Sequence, residues 1–212
     1  MKQFLLASVI FIAIAANAQS EKYSAAMQKN ISAFSSAKTV AELESVAASF
    51  NRIGEAEKNQ WLPYYWAALS LTRIGRMDEQ SDKDVLASRI IALADKADAL
   101  TSENNDKSEI LSLRSIAATQ QMLVDPQSRY MTYGQQASGY LQKGLQLNAA
   151  NPRLYYLQGM STFNTPEQFG GGKAKAKPIF EKSVALYKAE QAKALYPQWG
   201  SEQATHMLSQ CE

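Results

Sequence analysis

Three features of the chain could carry chemistry: the run Thr165–Lys177, TPEQFGGGKAKAK, the single histidine His206 and the single cysteine Cys211. A phosphate-cradling loop needs Gly, four residues, then Gly-Lys-Ser/Thr behind a strand, because the hydroxyl binds magnesium while backbone N–H groups cup the phosphates. Here Ala174 stands where the hydroxyl belongs, and the preceding segment has a helical period. The glycines therefore read as a turn that exploits positive φ and close backbone approach to fold Phe169 back under a helical hairpin. Lys173, Lys175 and Lys177 are spaced by two, about 200° per step around a helix, so they scatter as solvated charges and form no basic patch.

Zinc sites built from histidine and cysteine need three or four such ligands, and one of each cannot supply them. In SEQATHMLSQC the apolar stripe is Ala204, Met207, Leu208 and Cys211, which puts His206 on the wet side of a short helix. A catalytic triad or dyad would have to use that histidine in a cleft. No carboxylate pair stands out. The sequence thus offers no catalytic residues, no metal site and no cofactor motif, and the expectation is a protein that is not an enzyme. Cys211 can form no disulfide within the chain, so it reads as a small apolar residue of the last helix or as a link between two chains.

The elements around these residues begin after a leader. MKQFLLASVIFIAIAANAQS has one charge, Lys2, then an apolar run ending in Ala16-Asn17-Ala18, the small-x-small pattern of a signal-peptidase site. Residues 1–18 are expected to be removed by cleavage after Ala18, since the run falls short of the about 20 apolar residues that span a bilayer. Residues 19–212 then form a single exported domain, periplasmic or secreted, with no transmembrane segment. Its 22 Lys+Arg against 20 Asp+Glu, less Lys2, leave it near neutral, with no electrostatic case for nucleic acid as a partner.

Nearly every later segment has helical period, which gives nine helices and no strand. Val40, Leu43, Ala47 and Phe50 mark one helix, and Trp61 to Leu71 is so apolar that it should be buried on most sides. Ser81 to Asp84 reads as a capping box opening the next. Ile110, Leu113, Ala117 and Val124, flanked by Leu123, mark a helix stopped by Asp125-Pro126. Arg129–Leu147 continues helically with Tyr133, Ala137, Tyr140, Leu141 and Gly144 inward. Asn151-Pro152 caps another helix. The helix after the glycines should either hold Pro178 in its first turn or bend there.

Tested for repeats, 151–187 fits a tetratricopeptide pattern: Tyr155 and Gly159 in the first helix, Ala176, Phe180 and Ser183 in the second. The turn between them is longer than the consensus allows. With AKTVAELESVAASFNRIGEAEKNQWLPYYWAAL at 37–69, NPRLYYLQGMSTFNTPEQFGGGKAKAKPIFEKSVALYK at 151–188 and YPQWGSEQATHMLSQCE at 196–212, the chain resembles exported tetratricopeptide-like (TPR-like) proteins of the Bacteroidota. The resemblance covers a little under half of residues 19–212. It implies an all-α right-handed superhelix of helical hairpins and an extracytoplasmic location, without an assigned activity. The Phe169-Gly170-Gly171-Gly172 turn is also similar to one in the TPR-like component of some periplasmic TRAP transport systems.

Two binding roles follow. The first is a non-catalytic scaffold whose groove, lined by Tyr64, Tyr65, Tyr155 and Tyr156, holds a peptide or another envelope protein, tyrosine offering large area with few rotors to freeze. The second is a periplasmic small-ligand binder resembling the transport component, with Trp61, Trp66 and Phe169 walling a pocket. Plain core packing competes with both for every one of these aromatics.

Overall fold

The computed structural model describes residues 21–212; the expected leader and its cut after Ala18 lie outside them. Among the described residues the chain is all-α, with nine helices longer than one turn and no strand. In order these are α1 (21–36), α2 (Val40–Glu57), α3 (Leu62–Met77), α4 (Lys83–Asp98), α5 (Asn104–Val124), the single turn α6 (Pro126–Arg129), α7 (Gln135–Leu147), α8 (Pro152–Asn164), α9 (Lys173–Ala189) and α10 (Ser201–Ser209). A π-helical segment, Tyr130–Gly134, joins α6 to α7.

Local chemistry sets most boundaries. At the start of α2, Glu42 N–H donates to Thr39 Oγ1 while Thr39 N–H donates to Glu42 Oε2, a reciprocal capping box. Lys58, at φ 59°, closes that helix in the left-handed region, so α3 starts later than its apolar run, with Pro63 in its first turn. The box expected at Ser81 is absent. Asp82 caps α4 instead, its Oδ1 accepting from the Asp84 and Val85 N–H groups, because its carboxylate sits one residue nearer those donors. Ser81 Oγ donates to the Asp78 carbonyl and closes the loop. Pro178 lies in the second turn of α9, since that helix already begins at Lys173.

Successive helices pack as neighbours: α2 on α3, α3 on α4, α4 on α5, α5 on α7, α8 on α9 and α9 on α10. Helix α5 is the hub. It also touches α3 and α8, which do not pack on each other. The buried face of α5 is unusually polar. Ser108 Oγ donates to the Gly144 carbonyl, Ser115 Oγ to Ala137 and Gln120 Nε2 to Thr72. With those groups turned inward, Leu123 and Val124 at the end of α5 are exposed, against the expectation from their period. In α7, Ala137, Leu141 and Gly144 are buried as expected, whereas Tyr140 and, in the preceding π-helical segment, Tyr133 reach only half-burial.

The interior forms two apolar clusters. One joins α1 to α5; the other holds Tyr156, Ala176, Phe180 and Ala204, and Trp199 packs against both. In the α8–α9 hairpin the small residue expected at 159 meets the aromatic expected at 180: a Cβ on Gly159 would lie 2.6 Å from Phe180 Cε1. Ser183 Oγ donates to the Pro152 carbonyl across the same contact.

The glycine run is a turn. Gly170 and Gly172 have φ of 89° and 96°, and Gly172 N–H donates to the Thr162 carbonyl at 2.9 Å, returning the chain to the end of α8. Phe169 is not folded under the hairpin, however. Its ring is 74% exposed, because the Glu167–Phe169 turn directs the backbone, and not this side chain, against α8.

Candidate functional site

Helix α3 places most of the aromatics singled out from the sequence inside the molecule. Trp61, Tyr64, Tyr65 and Trp66 are buried, as is Tyr156 on α8, whereas Tyr155 is half-buried beneath Lys182. Trp61, Tyr65 and Trp66 stand together: Trp61 meets Tyr65 edge-on at 5.6 Å, and Tyr65 meets Trp66 at 6.4 Å. Tyr64 faces the other way, over Gly54, with Lys96 Nζ 5.2 Å from its ring centre. No ring contact joins Phe169 to any of them among the described residues.

What encloses the α3 aromatics is the connector 190–200, a strap from the C-terminal hairpin. Trp66 Nε1 donates to the Leu195 carbonyl at 2.8 Å, Trp61 meets Tyr196 edge-on at 5.5 Å, and Trp199 Nε1 donates to Tyr65 Oη at 2.8 Å. Tyr65 in turn donates to Glu109 Oε2 at 3.3 Å, which also accepts from Arg153 Nε at 2.7 Å. Arg153 completes the bridge by binding both oxygens of Glu190. This buried chain links α3 to α8 by way of α5. Burial pushes the Tyr65 phenol well above its ordinary value, with the Glu109 charge adding to the rise. Burial also raises the Glu109 carboxyl, and Arg153 opposes it. Such groups are fixed in place by hydrogen bonds, which suits a rigid wall better than proton transfer.

Beside this wall lies an open hollow of ≈ 290 Å³ between α8 and α10, lined by Tyr156, Glu202, Gln203, His206 and Met207. Tyr156 forms its back, with Trp199 edge-on behind it at 6.4 Å. Burial raises the Tyr156 phenol, and the positive charge of Arg76, at the end of α3, opposes that rise. His206 is exposed, on the wet side of α10 as its sequence stripe requires, and that wet side faces the hollow. Sequence reasoning set His206 aside as solvated and did not single out Arg76. The available signal was that α10 holds the chain's one imidazole next to a methionine.

A second exposed apolar area, Leu123, Val124, Tyr130 and Met131, surrounds the π-helical segment. Arg129 anchors it, pairing with Asp84 at 2.8 Å and lying over the Tyr133 ring. Among the described residues no group of three or more His, Cys, Asp and Glu converges as a metal cage, and no helix is long and apolar enough to cross a membrane. Cys211 is half-buried and its thiol donates to the Met207 carbonyl.

No protein-family model matches the chain, and no curated protein matches it. Among solved structures, the HusA haemophore from Porphyromonas gingivalis matches with a TM-score of 0.81 and 38% sequence identity, over 90% of this chain and 92% of that one. The chain belongs to the HusA family. That neighbour is all-helical and comes from the Bacteroidota, the group to which the sequence resemblance pointed. The relation covers nearly the whole of both chains.

Proposed function

We propose that this chain binds haem, or a planar tetrapyrrole of that class, as an exported carrier and not as an enzyme. The observation that carries the reading is the 38% identity to a haemophore over 92% of its length. The hollow between α8 and α10 supports it chemically. A porphyrin needs an apolar wall for its ring and a cation near its propionates; Tyr156 and Met207 line the hollow, and the Arg76 charge acts on Tyr156 from the end of α3. At ≈ 290 Å³ the open hollow seats part of such a ligand.

Of the two binding roles read from the sequence, the small-ligand one is favoured. A peptide groove would need the tyrosines of α3 to be accessible, and Tyr65 is fully buried. In this reading Tyr156 touches the ligand, Trp61, Tyr65 and Trp66 hold the wall rigid from behind, and Tyr64, Tyr155 and Phe169 stand outside the seat.

Titration of ferric haem into purified residues 19–212 tests the proposal. Saturable binding should shift the Soret band and quench tryptophan emission, because Trp199 lies against Tyr156. An unchanged Soret band with unquenched emission would retire the reading.

A further inference from the structure

Among the described residues seven large apolar side chains are exposed, and six of them belong to helix ends that meet. Met77 closes α3, Val85 lies in the first turn of α4, Leu123 and Val124 close α5, and Tyr130 and Met131 open the π-helical segment. Hydrogen bonds draw these ends together. Gln120 Nε2 donates to the Thr72 carbonyl, while Gln121 Nε2 and Arg129 Nη1 both donate to Asp84 Oδ1. Only Phe169 stands apart, on the turn before α9. Exposed apolar side chains gathered in this way mark a binding surface, whereas single ones need no explanation.

The patch is held in shape without being buried. A Cβ on Gly134 would lie 2.8 Å from Tyr130 Cδ2, so the missing side chain is what lets that ring rest against the backbone. Gln135 Nε2 donates to Met131 Sδ at 3.8 Å. Arg129 ties the segment to α4 through Asp84 and lies over the Tyr133 ring. Single π-helical turns of this kind recur at functional sites. Side chains fixed beforehand lose little freedom on binding, which favours association.

Charge selects the occupant. Residues 76–85 and 121–135 hold five acids, Asp78, Glu79, Asp82, Asp84 and Asp125, against three bases, Arg76, Lys83 and Arg129. The whole sequence carries a net charge of +2, so the acidity is local to this end. Arg129 neutralises Asp84, and Glu79, Asp82 and Asp125 remain exposed. A second copy would set acid against acid, and an anionic bilayer would meet the same repulsion. A protein surface with an apolar centre and a lysine or arginine rim satisfies both features, most simply as an amphipathic helix.

We infer that this end of the molecule docks a basic amphipathic helix of another protein. Its apolar face covers Leu123, Val124, Tyr130 and Met131, and its cations meet Glu79, Asp82 and Asp125. None of these residues lines the hollow beside Tyr156, so the inference stands independently of the haem reading.

The test uses two labelled synthetic helices with leucines at identical spacing, one carrying lysines and the other glutamates. Fluorescence anisotropy reads their binding to residues 19–212 as wild type, Leu123→Ser/Met131→Ser, Glu79→Gln/Asp125→Asn and Phe169→Ser. All the substituted side chains are exposed, and circular dichroism checks that each variant is folded. The lysine helix should bind saturably, and the glutamate helix about tenfold more weakly or not at all. Leu123→Ser/Met131→Ser should weaken the lysine helix by about tenfold or more. Glu79→Gln/Asp125→Asn should weaken it several-fold and flatten its salt dependence, and Phe169→Ser should leave it unchanged. Equal binding of the two helices, or full binding by Leu123→Ser/Met131→Ser, would overturn the inference. So would a dimer in light scattering, or binding to phosphatidylglycerol vesicles, that the same double variant abolishes. Loss of the haem response in that variant would assign the patch to the ligand instead and overturn the docking role, whereas a wild type that binds the lysine helix and no haem would overturn the haem reading alone.

Discussion

Arg153 serves two carboxylates from opposite directions: Glu109 on the hub helix and Glu190 at the start of the strap. Its side chain is 4% exposed, so removing it strands the buried Glu109 charge. Arg153→Ala should lower stability by about 3–5 kcal/mol in denaturant unfolding, and Glu109→Gln in the same background should recover part of that loss. Tyr23 supplies a test at alkaline pH. Burial first, then the Glu57 charge, pushes its phenol up to about 12, and its hydroxyl is buried without a hydrogen-bond partner. The folded value lies above the unfolded one of 10.0, so the Tyr23 contribution is fully present below pH 10.0 and is lost as pH rises towards about 12. Alkaline denaturation of Tyr23→Phe should accordingly set in at higher pH than that of the wild type. Little of this network was legible in the sequence. Arg153, Glu109 and Glu190 are far apart in the chain, and no local spacing announces a pair that only the helix stacking creates.

At the scale of elements, local signals performed well where the chain had one strong option. Asp125-Pro126 ended α5, Asn151-Pro152 opened α8, and Gly159 met Phe180, because proline, a capping amide and an absent Cβ each act within a turn or across one hairpin. Gly159→Ala should cost about 1–3 kcal/mol through overpacking against the Phe180 ring, seen as a lower midpoint in urea. Thr39→Ala should cost about 1 kcal/mol by opening the α2 capping box, read by the same measurement. The π-helical segment was illegible, since one extra residue in a turn leaves the hydrophobic period almost intact. The α5 face was misjudged for a related reason: serines and a glutamine that pair with neighbouring backbones occupy the buried positions, and the apolar residues at the end of the helix are left outside.

For the whole molecule, the strap distinguishes this fold from an open stack of hairpins. In a simple repeat array each unit touches only its neighbours, and unfolding can proceed from either end. Here Trp66 bonds the Leu195 carbonyl across 129 positions and Trp199 bonds Tyr65 across 134. Both apolar clusters meet at Trp199. Thermal unfolding should therefore be a single transition by both calorimetry and circular dichroism, and Trp199→Ala should split or broaden it. The all-α class was readable because periodicity reports it directly, whereas the strap was not, since 190–200 carries no period and appears only as a proline-containing turn.

The hollow is walled by α8 and bounded by α10, and the 190–200 strap that precedes α10 is pinned to α3 through Trp66 and Trp199. A single backbone nick within the strap would cut that tie while every helix stays intact. The concavity is thereby hostage to a stretch of chain that contains no helix of its own.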